Sequence, residues 1–229
     1  MISVIIPVFQ EEGNIGKLLH YLQQEADHPA IAEIIVVDGH SSDKTVKEAR
    51  DAGVRVISAS KKGRACQMNE GARLAKGSVL YFLHADTFPP ETFPEDIQQA
   101  MTQKQQAGCF LLSFDDPHYL LALYSWFTRF RIKAFRFGDQ SLFIAKELFE
   151  RIGGFDESLI VMEDNEIFGR IMKYSSYSII PINVITSSRK YKENGVIRLQ
   201  FIYILIFSLF QLGVGQRKLK RLYKQWIRT

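Results

Sequence analysis

Apolar runs and amphipathic stretches alternate from the first residues onward. Residues 3–8 form a β-branched run containing Pro7, and after Asn14 the apolar positions Ile15, Leu18, Leu19 and Leu22 recur at helical spacing. Residues 34–37 make a second apolar strand that ends in Asp38-Gly39. Asp43 is placed to cap a helix reaching Arg50, and Gly53 stops it. Residues 54–58 predict a third strand, residues 63–76 a helix closed by Gly77, and residues 79–83 a fourth strand leading into His84-Ala85-Asp86. Strands this continuously apolar are buried on both faces, so the pattern predicts an α/β fold with a mostly parallel central sheet between helices. Right-handed crossovers would bring the loops after strands one, two and four to one edge, where open sheets bind ligands.

The second half has a different texture. A polar helix is expected over residues 97–106 and a strand over 109–114, then an aromatic and basic stretch over 119–137 with Trp126, Phe127, Phe130 and Phe135. A short strand over 142–145, a small helix, a helix opened by Glu163 and running to Tyr174, and strands over 177–180 and 184–187 follow. No flexible linker separates the halves. The division predicted is one domain over 1–195, with a nucleotide-binding half over 1–90 and an acceptor or catalytic half over 91–195, plus a helical extension over 196–229.

Composition changes this picture in two places. A chain of 229 residues with 46% hydrophobic and 24% charged residues is ordinary for one large globular domain. Cys66 and Cys109 show no metal-type spacing, which disfavours a disulfide and favours a reducing compartment. The start, Met-Ile-Ser-Val-Ile-Ile-Pro-Val, reads as a strand rather than a signal peptide, so a cytoplasmic protein is expected. The net charge of +4 hides an asymmetry: residues 187–229 carry +9 and the remainder −5. The apolar stretch from Leu199 to Val214, interrupted by Gln200 and Gln211, falls short of the roughly twenty residues a spanning helix needs. Six basic residues from Arg217 to Arg228 follow without an acid. Together they suit a helix lying on the inner face of the cell membrane. Packing on the domain or a homodimer interface is the other reading.

The candidate chemistry sits at strand ends and helix starts. Asp86 ends the fourth strand and is a candidate ligand for a divalent cation on a diphosphate, with His84 two residues earlier. A neutral imidazole suits Mn²⁺ better than Mg²⁺, and a core histidine satisfied by backbone is the alternative for His84. Gly63 lets backbone approach a ligand at a helix N-terminus, and Arg64 can fork onto phosphate oxygens or make an exposed salt bridge. Gln67 and Asn69 diverge on the same helix, so at most one reaches a ligand. Glu163 and Asp164 suit general-base catalysis, though acids are also favoured in any first helical turn.

Seven segments in order carry a resemblance: Val-Ile-Ile-Pro-Val-Phe-Gln-Glu-Glu, Val-Val-Asp-Gly-His-Ser-Ser-Asp-Lys-Thr, Gly-Arg-Ala-Cys-Gln-Met-Asn-Glu-Gly-Ala, Leu-His-Ala-Asp-Thr, Gly-Asp-Gln, Gly-Gly-Phe-Asp-Glu and Met-Glu-Asp. The set resembles family 2 glycosyltransferases of the GT-A fold over residues 1–195, and is similar to the bacterial subgroup associated with arsenosugar or selenium gene neighbourhoods. The resemblance implies an inverting hexosyltransferase that uses a nucleotide sugar, a UDP-sugar first, and a small-molecule or lipid-linked acceptor. It also implies a GT-A nucleotide-binding sandwich, Mn²⁺ or Mg²⁺ as cofactor, and no nucleic-acid partner. By the same resemblance Pro7, Glu11 and Asp38 line the nucleotide pocket, with Gly63 and Arg64 at the phosphates. Asp86 and His84 then hold the metal, His84 standing where the family's Asp-X-Asp motif has its first carboxylate. Asp164 is the base with Glu163 behind it, and Asp139 and Gln140 line the acceptor side. Solvated or turn-forming roles for Glu11, Asp38 and Asp139 remain open. Arg189 and Lys190 lie where family members close a loop over the diphosphate, without the histidine often found there. Two other readings stand beside this one: a nucleotidyltransferase of similar fold, disfavoured by the acidic Glu11-Glu12 loop, and a non-catalytic, membrane-associated sugar-nucleotide-binding protein.

Overall fold

The computed structural model describes residues 1–24, 28–102 and 105–228. One eight-stranded sheet forms its centre, built from β1 (Ile2–Val8), β2 (Ile31–Asp38), β3 (Arg55–Ser58), β4 (Val79–Phe82), β5 (Thr87–Phe88), β6 (Ala107–Phe114), β7 (Leu142–Ala145) and β8 (Tyr177–Thr186). Their order is β3-β2-β1-β4-β7-β6-β8-β5. All run one way except β7 and β5, so the sheet is mostly parallel with two reversed strands.

Alternation along β1 explains why both faces are covered. Ile2, Val4, Ile6 and Val8 point into a core with Ile15, Leu18, Leu19 and Leu22 of helix α1 (Asn14–Gln23) and with Phe93 and Ile97 of α4 (Phe93–Thr102). Ile5 points the other way, with Val37, toward Ala65, Met68 and Ala72 of α3 (Arg64–Leu74) and toward α6 (Lys146–Arg151) and α7 (Glu163–Tyr174). Close approach of α3 to β1 depends on Gly71, whose added Cβ would come within 2.4 Å of Ile5 Cγ2. Helix α2 (Thr45–Asp51) has Lys44 at its cap position, and Asp43, expected there, lies one residue earlier and accepts the Thr45 backbone N–H at 3.1 Å.

Three elements differ from the sequence pattern. The polar helix starts at Phe93 rather than near Ile97, with Pro94 in its first turn, where proline's missing N–H costs nothing. Tyr177–Thr186 form one strand where two are expected over 177–180 and 184–187, because a register shift opposite Phe110 and Leu111 absorbs Pro181. The aromatic stretch folds as α5 (Tyr119–Trp126) followed by short 3₁₀ turns.

After β8 come α8 (Arg189–Asn194), α9 (Val196–Gln211) and α10 (Gln216–Trp226). Leu199, Ile202 and Ile206 of α9 pack with Leu121 of α5, Tyr191 and Ile227 in a third cluster, against which Phe114, Val161 and Met162 also lie. The C-terminal helices are thus joined to the body by the segment that precedes Glu163. Among the described residues no helix is long and apolar enough to cross a membrane.

Candidate active site

Parallel pairing aligns the carboxyl ends of β1 and β2, with Pro7 opposite Val37 and Val8 opposite Asp38. The Gln67 amide, buried beneath Gly39, donates to both Val8 O and Val37 O at 2.8 Å and so ties the two strand ends together. Buried Asp38 turns its carboxylate into its own loop, accepting from His40 N and Ser41 N, both at 3.1 Å. Glu11 accepts from the Asn14 side chain at 2.7 Å and faces Arg189 at 3.7 Å. Asn69 accepts the Phe155 N–H and donates to Phe155 O and Glu157, stapling the Gly153-Gly154 loop to α3. Gln67 and Asn69 are therefore both engaged with the protein itself.

Beyond β4 the chain turns at His84-Ala85-Asp86-Thr87, with Thr87 N donating to His84 O at 3.2 Å. His84 Nδ1 lies 3.0 Å from Asp139 Oδ1, which leaves Nε2 as the ring nitrogen available to a ligand. Burial works against a charge on His84, but the bond to Asp139 outweighs it and raises the pKa above that of an ordinary histidine. Burial alone would raise Asp139, whereas hydrogen bonding and charge from His84, with Lys190 and Arg64, hold it down to about 2. Gly138 sits where no side chain fits: a Cβ there would come 2.3 Å from Asp164 Oδ2 and 2.8 Å from His84 Cε1. The two halves of the chain meet at this glycine.

Gly63 has φ 138°, a backbone state that only glycine adopts readily, and it delivers Arg64 as the first residue of α3. The guanidinium faces Glu163 Oε1 at 3.5 Å and Asp164 Oδ2 at 3.4 Å. Met162, at φ 70°, turns the chain into α7 so that both acids fall in its first turn. Glu163 is 4% exposed. Burial, then repulsion from Asp164, pushes it up to about 7 against the pull of Arg64. Arg64, in turn, is desolvated, yet Glu163 and Asp164 hold its pKa above the usual arginine value.

Sequence reasoning missed the residues that hold this corner in shape. Arg136 is fully buried and donates to Thr128 O at 2.7 Å and to Phe130 O, closing the loop that leads to Gly138. Asn165 donates to Lys133 O at 2.7 Å and Arg136 O at 3.1 Å. Gln216, at the start of α10, accepts from Ile160 N at 2.9 Å and Val161 N at 3.2 Å, just before the acid pair. Gln140, which the sequence did single out for the acceptor side, is buried, its amide donating to Phe110 O at 3.3 Å and accepting from Phe137 N at 3.4 Å. Nothing about a lone arginine or glutamine in sequence signals a backbone clamp.

Whether these residues suit a divalent cation is decided by the donor set. Among the described residues, no group of three or more His, Cys, Asp or Glu side chains is close enough to hold a metal unaided. Asp86 is partly buried and makes no side-chain hydrogen bond or ion pair with the described residues. A hard cation on a diphosphate needs one or two carboxylates, with phosphate oxygens and water completing its shell. The donors fit a substrate-completed site rather than a preformed cage. Cys66 and Cys109 are buried free thiols, and neither belongs to a metal group.

Comparison with known proteins gives the family and the fold. An uncharacterized glycosyltransferase of Haemophilus influenzae is 28% identical over 196 residues, covering 80% of this chain and 66% of its own length. The undecaprenyl-phosphate 4-deoxy-4-formamido-L-arabinose transferase of Aeromonas hydrophila is 28% identical over 138 residues, 56% of this chain and 40% of its own. The chain thus spans only part of these relatives. A mannosyltransferase from Pyrobaculum calidifontis, solved with GDP-Man and Mn²⁺, superposes with a TM-score of 0.69 at 18% identity, over 97% of this chain and 69% of that one. At that identity the likeness shows the fold, which is GT-A. The sequence profile described as Glycosyl transferase family 2 matches residues 3–155, the span that contains Asp38, Arg64, His84, Asp86 and Asp139, and the chain belongs to that family.

Proposed function

We propose that the protein is an inverting glycosyltransferase that moves a hexosyl group from a nucleoside-diphosphate donor, a UDP-sugar in the first instance, to an acceptor hydroxyl. The observation that carries this reading is the meeting of Asp164 and the His84–Asp139 pair around Gly138 in a family 2 chain. Residues 1–90 supply the nucleotide half, with Pro7, Glu11 and Asp38 along the strand edge, and residues 91–195 supply the acceptor half.

In the transfer, Asp164 accepts the proton of the acceptor hydroxyl as that oxygen attacks C1 of the sugar. The bond from C1 to the diphosphate breaks on the opposite face, and its electron pair leaves with the diphosphate. Arg64 exchanges its ion pair with Asp164 for the diphosphate, so donor binding frees the base and places a positive charge where negative charge develops. A divalent cation held by Asp86, with His84 Nε2 as a second protein donor, supplies further neutralising charge when bound. The raised pKa of Glu163 leaves it partly protonated at neutral pH, which suits a neighbour that limits negative charge beside Asp164 better than it suits the base itself.

Calorimetric titration with UDP and GDP, each with and without Mn²⁺, tests this reading. Binding that depends on Mn²⁺ and disappears in Asp86→Ala supports it. Absence of binding by either nucleotide overturns it.

A further inference from the structure

The outward faces of the C-terminal helices are not used by the site. Helix α9 buries Leu199, Ile202 and Ile206, yet Ile197, Phe201 and Ile204 on its opposite side are 70%, 65% and 55% exposed, and Leu212 just beyond its end is 79% exposed. With a turn every 3.6 residues these four fall along one stripe about 20 Å long. Helix α5, which touches α9 and shares its core cluster, likewise turns Tyr119, Leu123 and Trp126 outward, at i, i+4 and i+7. Helix α10 packs on α9 and shares its core cluster through Leu222, Tyr223 and Trp226, with Arg217, Lys218, Lys220, Arg221 and Lys224 exposed. Four large apolar side chains on one side, interrupted by Ser208 and Gln211, exceed the scattered apolar exposure usual on a water-facing helix and mark a contact surface.

We infer that the outer face of α5, α9 and α10 docks on an anionic lipid surface, with the apolar stripe entering the headgroup boundary and the basic residues on the phosphates. Charge decides between a bilayer and a second copy of the chain. A two-fold dimer sets a patch against itself, so the five exposed basic residues of α10 would face another five. An anionic bilayer attracts each such residue instead. Trp126 and Tyr119 add the aromatic type favoured at membrane interfaces. The surface is mechanically close to the chemistry, because Gln216 of α10 holds the backbone of Ile160 and Val161 just ahead of Glu163 and Asp164. Docking therefore presents the acid pair near the lipid, which deepens the proposed function by naming where its acceptor lies and rests on that function only for this point.

Co-sedimentation of the full chain with phosphatidylcholine vesicles, with and without phosphatidylglycerol, reads the docking without any turnover. The expected result is binding to the anionic vesicles that falls about tenfold on neutral ones, in high salt, and in both Phe201→Ser and Lys220→Glu/Lys224→Glu. Both variants change exposed residues, and nucleotide binding, measured in parallel, checks that they remain folded. Failure to bind anionic vesicles with nucleotide binding intact overturns the docking and leaves the enzymatic reading standing. A dimer in light scattering that Phe201→Ser dissociates also overturns it, in favour of a second copy.

Discussion

Asp139 Oδ1 lies 3.0 Å from His84 Nδ1, so the carboxylate fixes which ring nitrogen of His84 is offered to a ligand. Asp139, expected from sequence on the acceptor side, is joined to His84, which the resemblance sets at the first position of the metal motif. A carboxylate behind a ligating histidine orients the ring and raises its basicity, and its loss costs about 10–100-fold in metal affinity. Asp139→Asn is therefore expected to weaken Mn²⁺ binding in the presence of nucleotide by that factor, read by electron paramagnetic resonance of free Mn²⁺. His84→Ala should do the same, and the double variant no more than either. Unchanged Mn²⁺ affinity in both single variants would remove His84 from the metal site.

Gly138 gives a sharper steric test. An added Cβ would lie 2.3 Å from Asp164 Oδ2 and 2.8 Å from His84 Cε1, both side-chain atoms of the site. Gly138→Ala should lower kcat by about 10²-fold through misplacement of these groups. Its melting temperature should stay within a few degrees of the parent, since the clash falls on side chains at an edge.

Glu163 predicts a pH dependence of stability. Its folded pKa of about 7 lies above the ordinary 4.5, so between those values the folded state binds more protons than the unfolded state. The stability contributed by protonated Glu163 is fully present below pH 4.5 and is lost as pH rises through 7. Urea titrations at pH 5 and pH 8 should show Glu163→Gln losing less stability over this range than the parent, by roughly 1–3 kcal/mol. Equal losses in the two proteins would place Glu163 in a less desolvated setting.

Arg136 is the buried clamp of the loop before Gly138. Arg136→Met removes the side-chain donor to Thr128 O and one of two donors to Phe130 O, which keeps the Ile132 N–H, and should destabilise by about 2–4 kcal/mol, measured by urea denaturation. Arg136→Lys should recover little, since an ammonium does not reproduce the planar fork.

The parts of the molecule that were legible in sequence are those that follow local rules. Strands β1, β2 and β4 announce themselves by continuous apolar residues, and α1 by its spacing, because burial on two faces or one is written directly in residue type. The candidate chemistry was legible for a related reason: Asp38 and Asp86 end apolar strands, and Gly63-Arg64 and Glu163-Asp164 open helices. The pairing of those groups was not legible. For Arg64 the sequence offers phosphate or an exposed salt bridge without naming a partner, and the structure sets it against Glu163 and Asp164, about one hundred residues away. The junction of His84 with Asp139 spans fifty-five residues. Such contacts are made by tertiary folding, and no periodicity encodes them. Gln67, Gln140 and Gln216 hold backbone groups for which any amide would look the same in sequence. Helix α8 follows β8 with a short polar run that carries no amphipathic pattern.

The most direct test of the account compares the parent with Asp164→Asn in two assays on the same preparations: Mn²⁺-dependent nucleotide binding, and release of nucleoside diphosphate from a panel of sugar nucleotides with acceptor. The account predicts that the variant binds nucleotide like the parent and loses turnover by about 10²–10⁴-fold. Turnover equal to the parent's would contradict the assignment of Asp164 as the base that activates the acceptor.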